Sequence, residues 1–203
     1  MPAIPEREAK TNYGMTEKGW VVGWSLKCAS TLLTKSARII RKMGIWEARQ
    51  HADDGGEVVL VVRHPLDRMV SNYVFWRTTN LAQLNSLFIN HPVNGMPIQL
   101  PEDLQGMTIE EFHGYCERKY NAHWEDQSRY HSDAKGLVPN VLLPFEVLGT
   151  LRTEKVNASP RKGTWEDYFT PEFRAEMEER FADDIALYER AQAEWDGERP
   201  KYF

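Results

Sequence analysis

The run Glu57–Val62 constrains the fold more than any other stretch, because five aliphatic residues follow one another in it without a polar break. Its length and its β-branched composition are typical of a strand. A strand that is apolar at every position is covered on both faces, as the central strands of parallel sheets are. The turn sequence at 53–56 bounds the run at its start and Arg63 bounds it at its end. The run therefore predicts an α/β protein with a mainly parallel central sheet.

A second apolar run, at residues 20–24, leads into the loop Ser25–Thr31, and helical periodicity begins at Leu32. A strand, a short loop of small residues and a helix commonly form an anion cradle, because backbone N–H groups and the positive helix end face one point. Lys27 adds a positive charge to this loop, and two hydroxyl residues at its end add donors. The lysine precedes the small residues, unlike the G-x-x-x-x-G-K-[ST] loop that binds nucleoside triphosphates. We therefore expect a phosphate or sulfate group here, on a ligand other than ATP.

Arg63 follows the central strand directly and precedes a helix that Pro65 is expected to open. In open parallel sheets, ligands bind beyond the carboxyl ends of the strands, so Arg63 and Lys27 are expected at one edge. A guanidinium offers a rigid fork of donors that suits a phosphate. Ser71 lies two turns into the helix, where its hydroxyl is able to face the same side. A purely structural role for Arg63, as a strand cap or a partner of Asp67, is the alternative.

The net charge of −5 and the pI near 5.7 argue against a protein that wraps nucleic acid. Two cysteines are too few for a disulfide framework, which favours a reducing compartment and a cytoplasmic location. No stretch is apolar for long enough to span a membrane, and the amino-terminal residues do not resemble a targeting signal. We expect residues 1–18 to form an irregular arm and residues 19–203 to form a single domain.

Four stretches resemble the motifs of sulfotransferases that use 3′-phosphoadenosine 5′-phosphosulfate (PAPS), in the order found in that family. Lys27–Thr31 resembles the loop for the 5′-phosphosulfate, and Arg63–Tyr73 resembles the 3′-phosphate motif, in which a serine, here Ser71, follows the arginine eight positions later. Residues 121–127 are similar to a His-Trp…Gln stretch of membrane-associated carbohydrate sulfotransferases. Residues 161–170 resemble the Arg-Lys-Gly…Trp…Phe-Thr segment of cytosolic members.

This resemblance implies a P-loop-NTPase-like sulfotransferase fold with α/β/α layers. It also implies transfer of a sulfuryl group from PAPS to an acceptor hydroxyl, for which the loop and the His-Trp stretch favour a carbohydrate. Lys27 would stabilise the leaving phosphate during in-line displacement. Arg63, Ser71, Arg161 and Lys162 would hold the 3′-phosphate of PAPS or of its product, adenosine 3′,5′-bisphosphate. The whole expected cofactor-binding set is Lys27, Cys28, Ala29, Ser30, Thr31, Leu32, Arg63, Ser71, Arg161, Lys162 and Gly163.

An acceptor hydroxyl needs a general base, and histidine is the usual choice near neutral pH. In the family this base is often a histidine between the two phosphate motifs, an interval that here holds only His51. His123, from the His-Trp stretch, is the second candidate, and a surface position is the alternative for His51. The chemistry needs no metal. A zinc site built from His113, Cys116, His123 and His131 is a rival whose spacing has no recognised second half.

The remaining patterns predict secondary structure. Residues 32–43 have the periodicity of an amphipathic helix with a basic outer face. Residues 108–111 form a capping box that opens a helix to about residue 120, and residues 140–143 are typical of a short buried strand. One uninterrupted helix is expected from Pro171 to about residue 193. The irregular stretch 85–107 is expected to be a binding loop near the acceptor.

Two other functions fit part of this pattern. A protein that binds PAPS or the bisphosphate without transferring a group is expected if the acceptor half is incomplete, since the chain is shorter than usual members of the family. A small-molecule kinase on a related fold is the third class, although the absent Gly-Lys-[Ser/Thr] loop argues against it. A preference for ATP over PAPS would distinguish the kinase.

Overall fold

The computed structural model describes residues 13–25, 28, 38–78, 105–118, 125–150, 161–195 and 197. The predictions for 26–27, 29–37, 79–104 and 119–124 lie outside these residues, and so do most of the anion loop, the acceptor loop and the His-Trp stretch. Two compact units make up the chain. The sheet unit comprises Met1–Pro65, Asp126–Asn157 and Ala182–Phe203, and the helical unit comprises Leu66–Glu125 and Ala158–Phe181. Each unit joins segments that are far apart in sequence. The single domain expected over residues 19–203 stays a prediction.

The strands of the sheet unit are β1 (Tyr13–Thr16), β2 (Val21–Gly23), β3 (Ile39–Met43), β4 (Val58–Val62), β5 (Ser132–Asp133), β6 (Gly136–Leu137) and β7 (Val141–Pro144). Five of them form a mixed sheet with the order β3-β1-β2-β4-β7. Strands β2, β4 and β7 are parallel neighbours, and β1 is antiparallel to both β2 and β3. Strands β5 and β6 form a separate antiparallel hairpin. The α/β class is confirmed, whereas the α/β/α layering stays a prediction.

Strand β4 is the buried parallel strand that its composition predicted. All five of its side chains are fully buried, and it pairs in parallel with β2 on one side and with β7 on the other. Alternate residues enter two different core clusters, with Val59 and Val61 in one and Leu60 and Val62 in the other. Both faces of the strand are therefore covered, which is why the sequence is apolar at every position.

Two sequence predictions are wrong in this region. Residues 13–16 of the expected irregular arm form β1, which is hydrogen-bonded on both sides within the sheet. Residues 39–43 of the expected helix form β3, paired with β1. Arg38 has a left-handed φ of 45° just before this strand, and Ile39 packs against Gly14, where a Cβ would lie 2.6 Å from its side chain. The β-branched pair at 39–40 favours a strand once such a partner is present.

Three helices and one short 3₁₀ helix complete the described part of the sheet unit. Helix α1 (Ile45–Asp53) leads through the predicted turn into β4, and α4 (Gln127–Tyr130) precedes the hairpin. A 3₁₀ helix, Phe145–Thr150, follows β7, and α6 (Ala182–Glu194) packs on β4 and β7. The three sequence segments of the sheet unit therefore all contribute to one compact unit.

The described part of the helical unit contains α2 (Pro65–Thr78), α3 (Ile109–Arg118) and α5 (Pro171–Arg180). The first residue of α2, Pro65, is counted with the sheet unit. The capping box of α3 is confirmed, because Glu111 N–H donates to Thr108 Oγ1 at 3.2 Å and Thr108 N–H donates to Glu111 Oε2 at 2.8 Å. These helices surround an aromatic core. Within the described residues, no helix is both long and apolar enough to cross a membrane.

The long carboxy-terminal helix is interrupted, which corrects the prediction of one helix from 171 to 193. Its amino-terminal cap is as expected, since Phe173 N–H donates to Thr170 Oγ1 at 3.2 Å. Phe181 leaves helical geometry at the end of α5 and is buried in the core of the helical unit. Helix α6 then begins at Ala182, and its buried residues are Asp184, Leu187 and Ala191.

Candidate functional site

The carboxyl ends of β2 and β4 form one edge of the sheet, as the sequence predicted. The parallel register pairs Gly23 with Leu60, so that Ser25 and Arg63 emerge from neighbouring strands in the same direction. Cys28 is the residue of the predicted loop Lys27–Thr31 that the structure describes, and it is fully buried. The two predicted phosphate motifs of the sheet unit therefore start side by side.

Gln127 joins these two strand ends through its side-chain amide. Its Oε1 accepts hydrogen bonds from the thiol of Cys28 at 2.9 Å and from the backbone N–H of Arg63 at 3.1 Å. Its Nε2 donates to the backbone carbonyl of Arg63 at 2.7 Å. Gln127 is fully buried, so these contacts are shielded from competition with water.

The start of the loop is held by a second buried group of polar side chains. Cys28 N–H donates to the carbonyl of Ser25 at 3.1 Å, which closes a turn over residues 25–28. The hydroxyl of Ser25 lies 3.0 Å from Nε2 of His131, whose Nδ1 lies 2.8 Å from the hydroxyl of Tyr13. Burial raises the pKa of Tyr13 far above its usual value, so the phenol keeps its proton. A neutral imidazole can complete this chain, because it donates through one nitrogen and accepts through the other.

Asp184, in the first turn of α6, fixes the segment that carries Gln127 and His131. Its carboxylate accepts from Gln127 N–H at 2.7 Å, and from the N–H and the hydroxyl of Ser128 at 2.7 Å and 2.6 Å. The carboxylate is almost completely buried, and these three donors compensate for its desolvation. The sheet unit thus holds α4 rigidly beside the two strand ends.

Arg63 is buried, with 7% of its surface exposed, and its guanidinium carbon lies 4.5 Å from the centre of the Phe145 ring. Phe145 begins the 3₁₀ helix after β7, the parallel neighbour of β4. The contact with Phe145 fixes the plane of the Arg63 guanidinium. A guanidinium is a group that suits recognition of a phosphate or sulfate.

The other predicted phosphate-binding residues belong to the helical unit. Ser71 lies on α2 and is buried. Arg161 forms an ion pair with Asp67 of the same unit, so the Asp67 carboxylate has a cationic partner there. Lys162 is exposed, and Gly163 has a left-handed φ of 72°, which the turn at this point requires. Arg161, Lys162 and Gly163 all belong to the exposed residues of the chain.

His51 lies at the opposite edge of the sheet. It occupies the last turn of α1, and its ring packs so closely on Gly56 that a Cβ at that glycine would lie 2.2 Å from Nε2. Gly56 precedes the amino end of β4, whereas Arg63 follows its carboxyl end, and five strand residues span roughly 17 Å. The structure therefore places His51 near the amino end of β4, whereas Arg63 follows its carboxyl end, and a catalytic role for His51 stays a prediction.

Several expectations concern residues outside the described part of the chain, namely Lys27, Ala29, Ser30, Thr31, Leu32 and His123. Of the rival zinc ligands, His113 and Cys116 lie on α3, whereas His131 binds Ser25 and Tyr13. Among the described residues, no group of three or more His, Cys, Asp or Glu side chains is placed to hold a metal ion.

Sequence reasoning missed most of the polar groups around the strand ends. Tyr13 lies within the predicted arm, and Asp184 lies within the predicted carboxy-terminal helix, where no local pattern indicates a buried carboxylate. The sequence marks Gln127 only by its place at the end of the His-Trp…Gln stretch.

No family model, curated protein or solved structure was found to match the chain. The resemblance to PAPS-dependent sulfotransferases therefore rests on the four sequence motifs.

Proposed function

We propose that the chain is a PAPS-dependent sulfotransferase, with a carbohydrate hydroxyl as the favoured acceptor. The observation that supports this function best is the meeting of Cys28 and Arg63 at one oxygen of Gln127. These two residues belong to the two motifs that resemble the 5′-phosphosulfate loop and the 3′-phosphate motif. They lie at the carboxyl ends of adjacent parallel strands, where α/β proteins bind nucleotides.

In the proposed reaction, the acceptor oxygen forms a bond to sulfur while the bond from sulfur to the 5′-phosphate oxygen breaks. The acceptor proton passes to a general base, and adenosine 3′,5′-bisphosphate leaves. Such a transfer depends mainly on positioning and on neutralising charge at the leaving oxygen. Lys27 is the proposed source of that charge, and Arg63 is proposed to bind the 3′-phosphate. His51 and His123 are the two candidates for the base. His51 packs on Gly56 before the amino end of β4, and His123 lies outside the described residues.

Ser71, Arg161 and Lys162 keep their proposed role in holding the 3′-phosphate, on the strength of the motifs. The exposure of Lys162 supports this role, and Arg161 is held by its ion pair with Asp67. The proposed fold is the P-loop-like sulfotransferase fold with α/β/α layers, which the parallel set β2, β4 and β7 supports. A cytoplasmic location is proposed from the cysteine count, since two cysteines are too few for a disulfide framework.

A binding protein without transfer activity is the second candidate. It is favoured by the position of His51, which packs on Gly56 before the amino end of β4 rather than at the end that carries Arg63. The two functions differ in one respect that can be measured, because a binder has no turnover to lose when Lys27 is replaced.

The test of the proposed function uses PAPS carrying a radioactive sulfuryl group and a panel of carbohydrate acceptors. The unaltered chain is expected to transfer the label, and Lys27→Ala is expected to lower turnover about 100-fold or more. Lys135→Ala is the matched control, because this exposed lysine pairs with Asp53 at the end of α1, away from Arg63. Bisphosphate binding without any transfer would favour the binding protein, and phosphoryl transfer from ATP would replace both candidates with a kinase.

A further inference from the structure

We propose that Gln127 is a positioning residue, whose side-chain amide sets the spacing between Cys28 and Arg63 and thereby sets the affinity for the nucleotide. This inference rests on the proposed function, since the nucleotide is the ligand whose two phosphate sites the residue would align. Gln127 is expected to act through Cys28 and Arg63, without touching the ligand.

The regular sheet ends just before Arg63. The pairing of β4 with β2 stops at Leu60 opposite Gly23, and its pairing with β7 stops at Val62 opposite Pro144. Arg63 is the next residue along the strand. The Gln127 amide takes up both the N–H and the carbonyl of Arg63, as a neighbouring strand would. A buried backbone pair that loses such a partner shifts to find another, and it carries the arginine with it.

One side-chain oxygen of Gln127 contacts both Cys28 and Arg63. Gln127 Oε1 accepts from the Cys28 thiol and from Arg63 N–H. A planar amide that is fully buried has few alternative orientations, so it fixes these two donors relative to each other. The distance between the loop and the end of β4 is therefore determined by the position of Gln127.

Gln127 is itself held in place by hydrogen bonds of its own segment. Asp184 fixes the backbone at Gln127 and Ser128, and His131, which follows α4 directly, holds the hydroxyl of Ser25. The segment 127–131 thus contacts both the first and the last residue of the turn 25–28. Residues that orient binding groups in this way commonly change affinity about tenfold or more when they are replaced.

The same strand carries a chemically matched control at its other end. Asn140 Oδ1 accepts from Val58 N–H at 2.8 Å, and its Nδ2 donates to the carbonyl of Gly56 at 2.9 Å. This side-chain amide also binds the β4 backbone, but at the amino edge. Replacing it weakens the sheet without disturbing the end of the strand that carries Arg63.

The experiment compares Gln127→Met with Asn140→Leu, at a temperature where both variants are fully folded. Titration with adenosine 3′,5′-bisphosphate is expected to show an affinity about tenfold lower for Gln127→Met and within about twofold of the unaltered chain for Asn140→Leu. Gln127→Met combined with Arg63→Lys should lose less affinity than the product of the two separate losses, because both changes act on the same contact.

A second pair of variants keeps the inference testable if Gln127→Met does not fold. Cys28→Ala removes the donor to Gln127 Oε1, and Cys28→Ser keeps a hydroxyl donor there. The alanine variant is expected to bind the bisphosphate more weakly and the serine variant to recover most of the affinity. The S–H stretching band of Cys28 should also shift in Gln127→Met, with the band of Cys116 unchanged as an internal reference.

The outcomes separate the two proposals. If the unaltered chain does not bind the bisphosphate, the proposed function is overturned and this inference falls with it. If the unaltered chain binds but Gln127→Met and Asn140→Leu lose the same affinity, the proposed function stands and the positioning role is wrong. Equal binding by Cys28→Ala and the unaltered chain would likewise contradict the positioning role.

Discussion

Asp133 accepts two hydrogen bonds from the guanidinium of Arg49, at 2.8 Å from Nε and 3.0 Å from Nη2. Arg49 also donates to the carbonyls of Gly136 and Leu137, so one side chain ties α1 to the hairpin β5–β6. Both side chains are largely shielded from solvent, with 15% and 3% of the surface of Arg49 and Asp133 exposed. The pair therefore contributes to the stability of the sheet unit more than the exposed ion pairs do.

Asp133→Asn is expected to lower the free energy of unfolding at pH 7 by about 2 kcal/mol, because Arg49 loses its charged partner. The hydrogen bond from Arg49 is the main cause that holds the pKa of Asp133 below its usual value. A carboxyl with a lowered pKa stabilises the fold above its unfolded pKa of about 3.9, and this contribution is lost as the pH falls through the folded value. Urea unfolding should therefore show the two proteins converging towards low pH. A constant difference from pH 7 to pH 3 would contradict this account.

His113 is expected to make the helical unit sensitive to mild acid. Burial lowers the pKa of His113, and Arg180 adds to this effect while Glu117 opposes it. A histidine with a lowered pKa leaves stability intact above its unfolded value of about 6.5, and stability is lost as the pH falls through the folded value. The thermal midpoint should therefore decrease below about pH 6.5. His113→Phe keeps a ring against Phe173 and Phe181 and should decrease less over the same range.

Gly23→Ala is expected to destabilise the chain by about 1–3 kcal/mol, because a Cβ at Gly23 would lie 2.7 Å from Cε1 of Tyr13. The Tyr13 ring is buried and bound to His131, so it has little room to move. Gly114→Ala on α3 is the control, since its Cβ would meet Arg118 only at 3.7 Å. There alanine should stabilise the helix by about 0.5–1 kcal/mol. Chemical denaturation measures both, and a neutral Gly23→Ala would contradict the packing described here.

Local signals were sufficient for several elements. The aliphatic run Val58–Val62 predicted a buried parallel strand, and the capping residues Thr108 and Thr170 predicted where two helices begin. In each case the cause lies within a few residues of sequence, in a hydrophobic pattern or in a hydrogen bond from a side chain to a nearby backbone group.

The errors have a common physical cause, which is a partner distant in sequence. Residues 39–43 became a strand because β1 offers them an antiparallel partner, and the short β1 has too little apolar pattern to be predicted alone. The last helix is interrupted at Phe181, where the chain passes from the helical unit to the sheet unit. Neither influence leaves a mark on the local sequence.

The candidate site divides in the same way. The neighbouring positions of Cys28 and Arg63 follow from the rule for parallel strands, so the sequence predicted them. The side chains that hold them came from far away, since Ser25 and His131 are 106 positions apart and Gln127 and Asp184 are 57 apart. Single-sequence reasoning could propose anion-binding residues, but it could not identify the groups that contact Cys28 and Arg63 from distant parts of the sequence.

The central claim is a PAPS site at the carboxyl ends of β2 and β4, and a calorimetric titration with adenosine 3′,5′-bisphosphate tests it most directly. AMP and ATP are the ligand controls, and Lys135→Ala is the control for charge. The account predicts tight binding of the bisphosphate alone, weakened about tenfold or more by Arg63→Ala and unchanged by Lys135→Ala. Equal binding of ATP, or a bisphosphate affinity that does not respond to Arg63→Ala, would contradict it.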